Sequence, residues 1–352
     1  MVFGIVIHTN ILSEGKRLSE LNTGYIAQLM GGNELWEPLW GLTTSLTEIE
    51  SCLLKSSPVR RLQFIHHSGS SYINTHHVTT RLQHTIGVFS LVAYYCPDWY
   101  ELRVAALLHD IGHCPFSHVL EQIEGCDHHK RTYELLYSTE ISGILIKYGF
   151  DPRVILDLIE GNITSPLRNK DNKIHLDHLD SWVRSAQITG LLKSSTVLLS
   201  RLELDGNYIS TDAETAETLL QFIISEAKFH CSGDNLGPST ILKYLVAQLI
   251  EQNVVSVESI CEMTDASLES LLLRCELTQG EARRLFYSPH EILVTRTKPK
   301  VSSNTNIVTL NKLYLSEPLI TNERMPVNAL PSYTILGELS SVLGTYYVYW
   351  DE

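Results

Sequence analysis

The 352-residue sequence predicts a mainly α-helical protein with a small β-containing appendage at its C-terminal end. Three observations lead there. Apolar residues recur at helical spacing in residues 81–95, 100–109, 117–124, 131–148, 153–160, 174–188, 213–229, 238–253, 256–274 and 279–286. Gly or Pro separates many of these segments. Only beyond residue 290 does the pattern change, to β-branched and aromatic runs at 291–297, 307–315 and 345–350. We therefore expect an N-terminal segment over 1–34 without readable chemistry, a main helical domain over 35–200, a helical extension packed on it over 201–290, and a β-rich tail over 291–352 that serves as a lid, a subunit contact or plain packing.

The segment 81–95 carries Ile86, Val88, Phe89, Leu91 and Val92, the pattern of a largely buried helix with His84 in its first turn, facing the core. The segment 100–109 runs directly into His109-Asp110-Ile-Gly-His113-Cys-Pro-Phe-Ser-His118-Val-Leu-Glu121. An adjacent His-Asp pair at a helix end sends a neutral imidazole and a carboxylate toward one point, a combination that suits a divalent cation of borderline hardness. Such a pair needs further ligands, and His84 is one. Between 174 and 188 the apolar positions 176, 179, 182 and 183 put Asp177 and Asp180 about one turn apart, so that either carboxylate can close the site. Twelve of the fifteen histidines fall between His66 and His178, a concentration that chance placement does not explain. His8, His175, His230 and His290 are read as having no part in it, and the pairs His66-His67 and His76-His77 as rim loop or substrate contact.

With 43% hydrophobic residues the chain has ample material for a core. Its longest apolar runs, near 219–225 and 241–250, are polar-interrupted and too short to span a bilayer, and the N-terminus lacks a positive region and a small-residue cleavage site. A cytoplasmic protein without membrane association is expected. Seven cysteines at 52, 96, 114, 126, 231, 261 and 275, with no Cys-x-x-Cys, argue against a disulfide framework or a structural zinc site. A formal charge of −13, from 27 basic and 40 acidic residues, opposes broad binding to nucleic acid and favours a small anionic substrate in a local cationic pocket. Lys130 and Arg131 are read as a solvated helix start rather than as part of that pocket.

The series His84, His109-Asp110, Asp177 resembles the H…HD…D signature of HD-domain metal-dependent phosphohydrolases. The blocks Glu37-Pro38-Leu-Trp-Gly41, Ser57-Pro58-Val-Arg60-Arg61-Leu62-Gln-Phe-Ile65, Arg81-x-x-His84-Thr-x-Gly87-Val88 and His109 to His118 resemble, in order, the deoxynucleoside triphosphate triphosphohydrolase branch. The stretches 263–272 and 282–285 are similar to its helical C-terminal part, so the resemblance spans roughly 35 to 300. It implies an HD-domain helical core, metal ligation by His84, His109, Asp110 and Asp177, charge neutralisation by Arg81, proton handling by His118 with Glu121 orienting it, and supporting phosphate or proton contacts from His113 and His129. Across the turn at 125–127 the alignment leaves His128 and His129 one residue apart, and His129 is adopted. Cys114, a possible thiolate ligand or nucleophile on chemical grounds, becomes a small filler between two catalytic histidines. The donor set accepts Mn, Fe, Co, Ni, Zn or Mg, and a second metal is possible. Relatives of this branch often oligomerise, so a homo-oligomer is expected.

The chain departs from that branch where the nucleoside is read. His66-His67 or His67-Ser68 stand where relatives carry Gln-Leu, Ser181 and Ser185 stand in place of a Tyr and an Asp, and His178 replaces a phosphate-binding Lys. Each lost contact of this kind is worth on the order of 1–3 kcal/mol of discrimination. Three readings follow: a metal-dependent nucleotide phosphohydrolase, with cleavage of a deoxynucleoside triphosphate (dNTP) to deoxynucleoside and triphosphate as the leading case; an HD phosphodiesterase or di-iron HD oxygenase with a dinuclear site; and a non-catalytic nucleotide sensor.

Overall fold

A computed structural model describes residues 33–299, 305–321 and 326–351; the segment up to residue 32, including His8, lies outside them. The mainly α fold with a small strand-containing C-terminal region is observed. The helices Arg81–Tyr95, Tyr100–Leu108, Pro152–Ile159, Leu176–Ile188, Ala213–His230, Gly233–Glu251 and Gln279–Tyr287 lie within a few residues of their expected bounds. Two expected segments divide. The first becomes His128–Leu136 and Thr139–Lys147, because the Ser138 side chain caps the second helix by accepting from Ile141 N. The other becomes Val257–Glu262 and Asp265–Arg274, where Thr264 does the same for Ser267 N.

The expected helix over 117–124 is instead a single 3₁₀ turn, Ser117–Leu120. Phe116 and Ser117 both take left-handed backbone, with φ 57° and 56°, which no α-helix accommodates. The short hairpin Glu34–Glu37 with Leu42–Ser45, and the pair Glu203–Asp205 with Tyr208–Thr211, were not foreseen; strands of three or four residues are too brief to show a two-residue period.

In the tail, Gly344–Trp350 is the central strand between Ile292–Thr295 and Asn306–Leu310, antiparallel to both. Leu319–Ile320 leaves this sheet and pairs in parallel with Tyr208–Thr211, which ties the tail to the helical body.

Buried apolar side chains form two clusters. One surrounds the Arg81–Tyr95 and Tyr100–Leu108 helices, with Phe89, Leu102 and Leu107 fully enclosed. The other surrounds Gly233–Glu251 through Ile241, Leu245 and Leu249, and takes in Leu268, Leu272, Leu285 and Val348. Cys114, Phe116, Leu120 and Cys126 belong to this second cluster. The chain beyond His109-Asp110 thus passes from one core to the other, and the motif residues lie along the seam. No helix among the described residues is long and apolar enough to cross a membrane.

Candidate metal centre and active site

His84 sits in the first turn of Arg81–Tyr95, a helix started by a capping box: the Thr80 side chain accepts from Gln83 N, and Gln83 reciprocates to Thr80 N. His109 is the C-cap of Tyr100–Leu108, with Asp110 in the turn beyond. Asp177 stands in the first turn of Leu176–Ile188, where a carboxylate is favoured by the helix dipole. The three segments bring His84, His109 and Asp177 to one point, with Asp110 beside His109. His84 Nε2 lies 3.4 Å from His109 Nε2 and 3.1 Å from Asp177 Oδ1. His109 Nε2 lies 3.5 Å from Asp110 Oδ1 and 3.8 Å from Asp177 Oδ1.

The outward ring nitrogens are committed elsewhere. His109 Nδ1 meets Ala106 O at 2.8 Å, and His84 Nδ1 meets Asp180 Oδ2 at 2.8 Å. Each Nδ1 therefore carries the proton when the ring is neutral, which leaves both Nε2 lone pairs facing the carboxylates of Asp110 and Asp177. Two lone pairs pointed at each other across 3.4 Å repel unless a cation or proton lies between them, so the donor set fits a divalent metal. Without one, burial lowers the pKa of His84, but its hydrogen bonds to Asp177 and Asp180 prevail and raise it to about 9. Burial raises the Asp110 carboxyl, and the Arg81 guanidinium at 2.9 Å, helped by the hydrogen bond from His113, overcomes that and holds it well below the usual carboxylate range.

Of the two carboxylates that the sequence left open, Asp177 faces the ligand point and Asp180 stands behind it. Asp180 is fully buried and accepts from Trp40 Nε1 (2.7 Å), from Arg184 Nε (2.6 Å) and from His84 Nδ1. Arg184 is shared with Glu37 at 2.7 Å. The Glu-Pro-Leu-Trp-Gly block is therefore an outer support of the metal centre. Gly87 makes the crossing possible: a Cβ there would lie 2.0 Å from Asp180 Oδ1 and 2.1 Å from Arg184 Nη2.

A second cluster adjoins the first through His113, whose Nε2 lies 3.2 Å from Asp110 Oδ1. Burial and the Arg81 charge push His113 well below the ordinary imidazole range. Its ring is neutral, Nε2–H donates to Asp110, and Nδ1 is a buried acceptor with no hydrogen-bond partner among the described residues. Glu121 Oε1 lies 4.0 Å from that nitrogen, 2.7 Å from His118 Nδ1 and 2.5 Å from His128 Nδ1. Burial raises the Glu121 carboxyl, and the hydrogen bonds from His118 and His128 outweigh it and keep it ionised. His128, not His129, occupies this cluster: its ring stacks on His113 with centroids 4.4 Å apart, while His129 turns to Glu160 at 2.9 Å and only lines the rim. Glycine at 112 permits this packing, since a Cβ there would lie 2.2 Å from His128 O.

Both clusters open on a cavity of about 230 Å³. Arg81 lines it, but most of its guanidinium is engaged: Nε donates to Ser117 Oγ, Nη1 to Asp110 Oδ2 at 2.9 Å and Nη2 to the His67 carbonyl. Two of its five N–H groups remain, so it positions Asp110 as much as it offers charge to a ligand. Lys130 is exposed and Arg131 does not line the cavity; the further cations there are Arg168 and Lys312, both in loops where no periodicity betrays them. Tyr314 and Trp182 complete that wall. His178 lines it as well, and burial pushes its pKa down to about 4, so it supplies no charge at neutral pH.

His67 faces the cavity, with its ring 4.4 Å from that of His84 and Nε2 3.3 Å from Ser181 Oγ. His66 does not. Its backbone N and its Nδ1 both meet Asp265 Oδ2 at 2.8 Å, and its ring stacks on Tyr72, so the expected substrate contact is a structural tie to the helical extension. His230, set aside on sequence grounds, pairs with Glu226 at 3.1 Å and lines the cavity, while His175 caps the Leu176–Ile188 helix. A neighbouring cavity of about 180 Å³ shares His67, Ser68, His118 and His230 with the first and continues between Val119, Leu236, Val308 and Leu310.

Comparison with known proteins agrees with this arrangement. Residues 81–191 match the HD domain family. The chain is 26% identical over 229 residues to the uncharacterized protein YdhJ of Bacillus subtilis strain 168, covering 62% of this chain and 69% of that protein. It is 28% identical over 246 residues to the metal-dependent phosphohydrolase cns2 of Cordyceps militaris, covering 62% and 67%. Two solved structures share the fold: a hypothetical protein from Aquifex aeolicus (TM-score 0.66, 20% identity, 90% of this chain and 96% of that one) and a phosphohydrolase from Bacteroides thetaiotaomicron VPI-5482 (TM-score 0.66, 13% identity, 91% and 100%). The H…HD…D residues that the fold gathers to one place all lie within the matched segment, and residues 81–191 are an HD domain.

Proposed function

We propose that this chain hydrolyses a nucleotide, with a dNTP cleaved to deoxynucleoside and triphosphate as the leading reaction. The observation that carries this reading is the union of the two clusters in one cavity: the donors His84, His109 and Asp177 with Asp110 adjoining, beside a carboxylate-oriented histidine, under a wall bearing Arg168 and Lys312. His84, His109, Asp110 and Asp177 would hold a divalent ion, manganese in the leading case, which supplies Lewis-acid polarisation of a phosphoryl oxygen and lowers the pKa of bound water. Arg168, Lys312 and the free N–H groups of Arg81 offset the charge of the phosphate chain. His118, whose ring is half exposed, transfers the proton at the leaving oxygen, and the ionised Glu121 orients it and supports its charged form. The adjoining, more apolar cavity suits the nucleoside as leaving group. We further place the enzyme in the cytoplasm, as a homo-oligomer.

The test is nucleoside and phosphate release from a panel of dNTPs, NTPs, nucleoside monophosphates and cyclic dinucleotides with Mn or Mg, comparing wild type with Asp110→Ala. Variant-sensitive release of triphosphate from a dNTP is expected. Variant-sensitive turnover of another ester would move the substrate elsewhere in the superfamily, and no turnover with either metal would favour a nucleotide sensor.

One observation favours a dinuclear reading beside it. The bare, buried Nδ1 of His113 faces Glu121 and, with His118 and His128, completes a set able to hold a second ion, as an HD phosphodiesterase or di-iron oxygenase would require. Metal content per chain separates the two: one ion that Asp110→Ala removes supports the mononuclear reading, and two ions, one of them lost in His128→Ala, support the dinuclear one.

A further inference from the structure

Three of the seven cysteines, whose scattered spacing argued against a structural zinc site and of which Cys114 was expected to be a small filler, come together. Cys114 follows His113 in the motif, Cys126 closes the turn before His128–Leu136, and Cys261 lies on the Val257–Glu262 helix. All three are buried, with at most 1% exposure, and their sulfurs lie within 4.8 Å of one another. Cys126 Sγ and Cys261 Sγ are 3.6 Å apart. Four thiolates around zinc at a bond length of about 2.3 Å stand about 3.8 Å apart, and three in a plane about 4.0 Å apart, so the 3.6 Å pair and the 4.8 Å limit on the trio are compatible with ligands that close on one ion. It is also well beyond the bonded S–S distance of about 2.05 Å.

The surroundings carry the charge that such a site needs. Arg61 donates to the carbonyls of Cys261 (2.6 Å), His113 (2.9 Å), Glu262 and Met263 (both 3.2 Å), and it pairs with no carboxylate among the described residues. Arg131 turns inward, and its buried Nε has no hydrogen-bond partner among the described residues. Both act electrostatically on Cys261, and Arg131 on Cys126 also. Packing alone accounts for three small apolar side chains in a core. It does not account for two half-buried guanidiniums beside them that form no ion pair among the described residues, because a partly desolvated charge without a close countercharge is costly. A thiophilic ion bound by three thiolates bears a net charge of −1 as a divalent ion and −2 as a monovalent one, which the two guanidiniums offset.

We propose that Cys114, Cys126 and Cys261 form a second metal site, separate from the HD quartet, that takes a thiophilic ion of the zinc or copper(I) class. The three thiols release their protons to solvent as the ion binds. The site clips together the segment after His113, the turn before His128 and a helix about 135 residues further on, and so holds the His113 and His128 rings in register. It is a positioning site, and no reacting atom touches it.

The test is cadmium titration of the reduced full-length protein, read by the thiolate-to-cadmium charge-transfer absorption in the ultraviolet, which nitrogen and oxygen ligands do not produce. Wild type and an Asp110→Ala, His109→Ala double variant should both show the band, saturating at a single equivalent, and Cys261→Ser and Cys126→Ser should lose it. Elemental analysis of the double variant as purified then distinguishes zinc from copper. Wild-type protein that binds cadmium without the band overturns the proposal, as does oxidation to a Cys126–Cys261 disulfide with no band in the reduced form. The double variant keeps this outcome separate from failure of the HD centre.

Discussion

Asp180 lies outside the ligand set, yet the geometry of the ligand set depends on it. It fixes the tautomer of His84 through Nδ1 and is itself held by Trp40 and Arg184. Replacing Asp180 with Asn removes the charge and should lower metal affinity 10–100-fold, the usual cost of losing the carboxylate behind a ligating histidine. Since Arg184 keeps Glu37, the chain should still fold, at a loss of about 3 kcal/mol in a denaturant titration. Metal affinity equal to wild type, measured by calorimetry, would show that His84 needs no such support. The ordered His, His-Asp and Asp positions were legible because each belongs to a motif with fixed neighbours. The choice between Asp177 and Asp180 was not, because two carboxylates one turn apart lie on nearly the same helix face and only the packing of Gly87 against Asp180 decides between them. His128 and His129 posed the same problem in sharper form: adjacent residues point about 100° apart on a helix, so the exact start of the helix, set here by the Asp127 cap, determines which one enters the cluster.

The first turn of the Arg81–Tyr95 helix carries both Arg81 and His84, so its cap is tied to the site. Thr80→Ala should cost about 1 kcal/mol of stability, and, by fraying that turn, should weaken metal binding more than a surface cap elsewhere would. Thr264→Ala is the matching control, since Thr264 caps a helix away from the quartet; equal effects of the two on metal affinity would sink the idea. The loop after the HD pair shows a different dependence. Asp265, at the start of the Asp265–Arg274 helix, accepts from Phe116 N at 2.7 Å and from His66 N and Nδ1 at 2.8 Å. It therefore pins the left-handed turn at Phe116 and Ser117, a conformation that costs of order 1–3 kcal/mol at each non-glycine residue. Asp265→Ala should lower kcat while the quartet keeps its metal, because His118 follows that turn directly. A variant with normal kcat, assayed at saturating metal, would mean that the turn holds itself. Sequence periodicity indicated a helix here because apolar spacing at 116, 119, 120 and 123 is compatible with one; the burial of Phe116 in the second core prevails over that local preference.

At the scale of the whole molecule, the cavity is assembled from parts far apart in the chain. The helical body supplies the metal donors, the loop at Arg168 supplies one cation, and the connection between Asn306–Leu310 and Leu319–Ile320 supplies Lys312 and Tyr314. That connection is anchored on both sides. Asn306–Leu310 pairs with Gly344–Trp350, and Leu319–Ile320 pairs with Tyr208–Thr211. Lys173 adds an ion pair to Glu317 at 2.9 Å. A segment anchored at both ends can present a side chain to the cavity at little entropic cost. On the proposed function, Lys312 would take the part of a phosphate-binding cation at 178, since buried His178 stays neutral. A charged hydrogen bond to phosphate contributes about 1.5–3 kcal/mol. Lys312→Ala should accordingly raise KM for a triphosphate substrate roughly 10- to 100-fold while leaving metal content unchanged. The loss should shrink as salt rises, because part of the contribution is screened. Lys130→Ala, on an exposed helix start, should change neither quantity. If Lys312→Ala instead lowers kcat with KM intact, the tail serves to exclude water or to order the site rather than to bind phosphate, and the cationic wall would then rest on Arg168 and Arg81 alone.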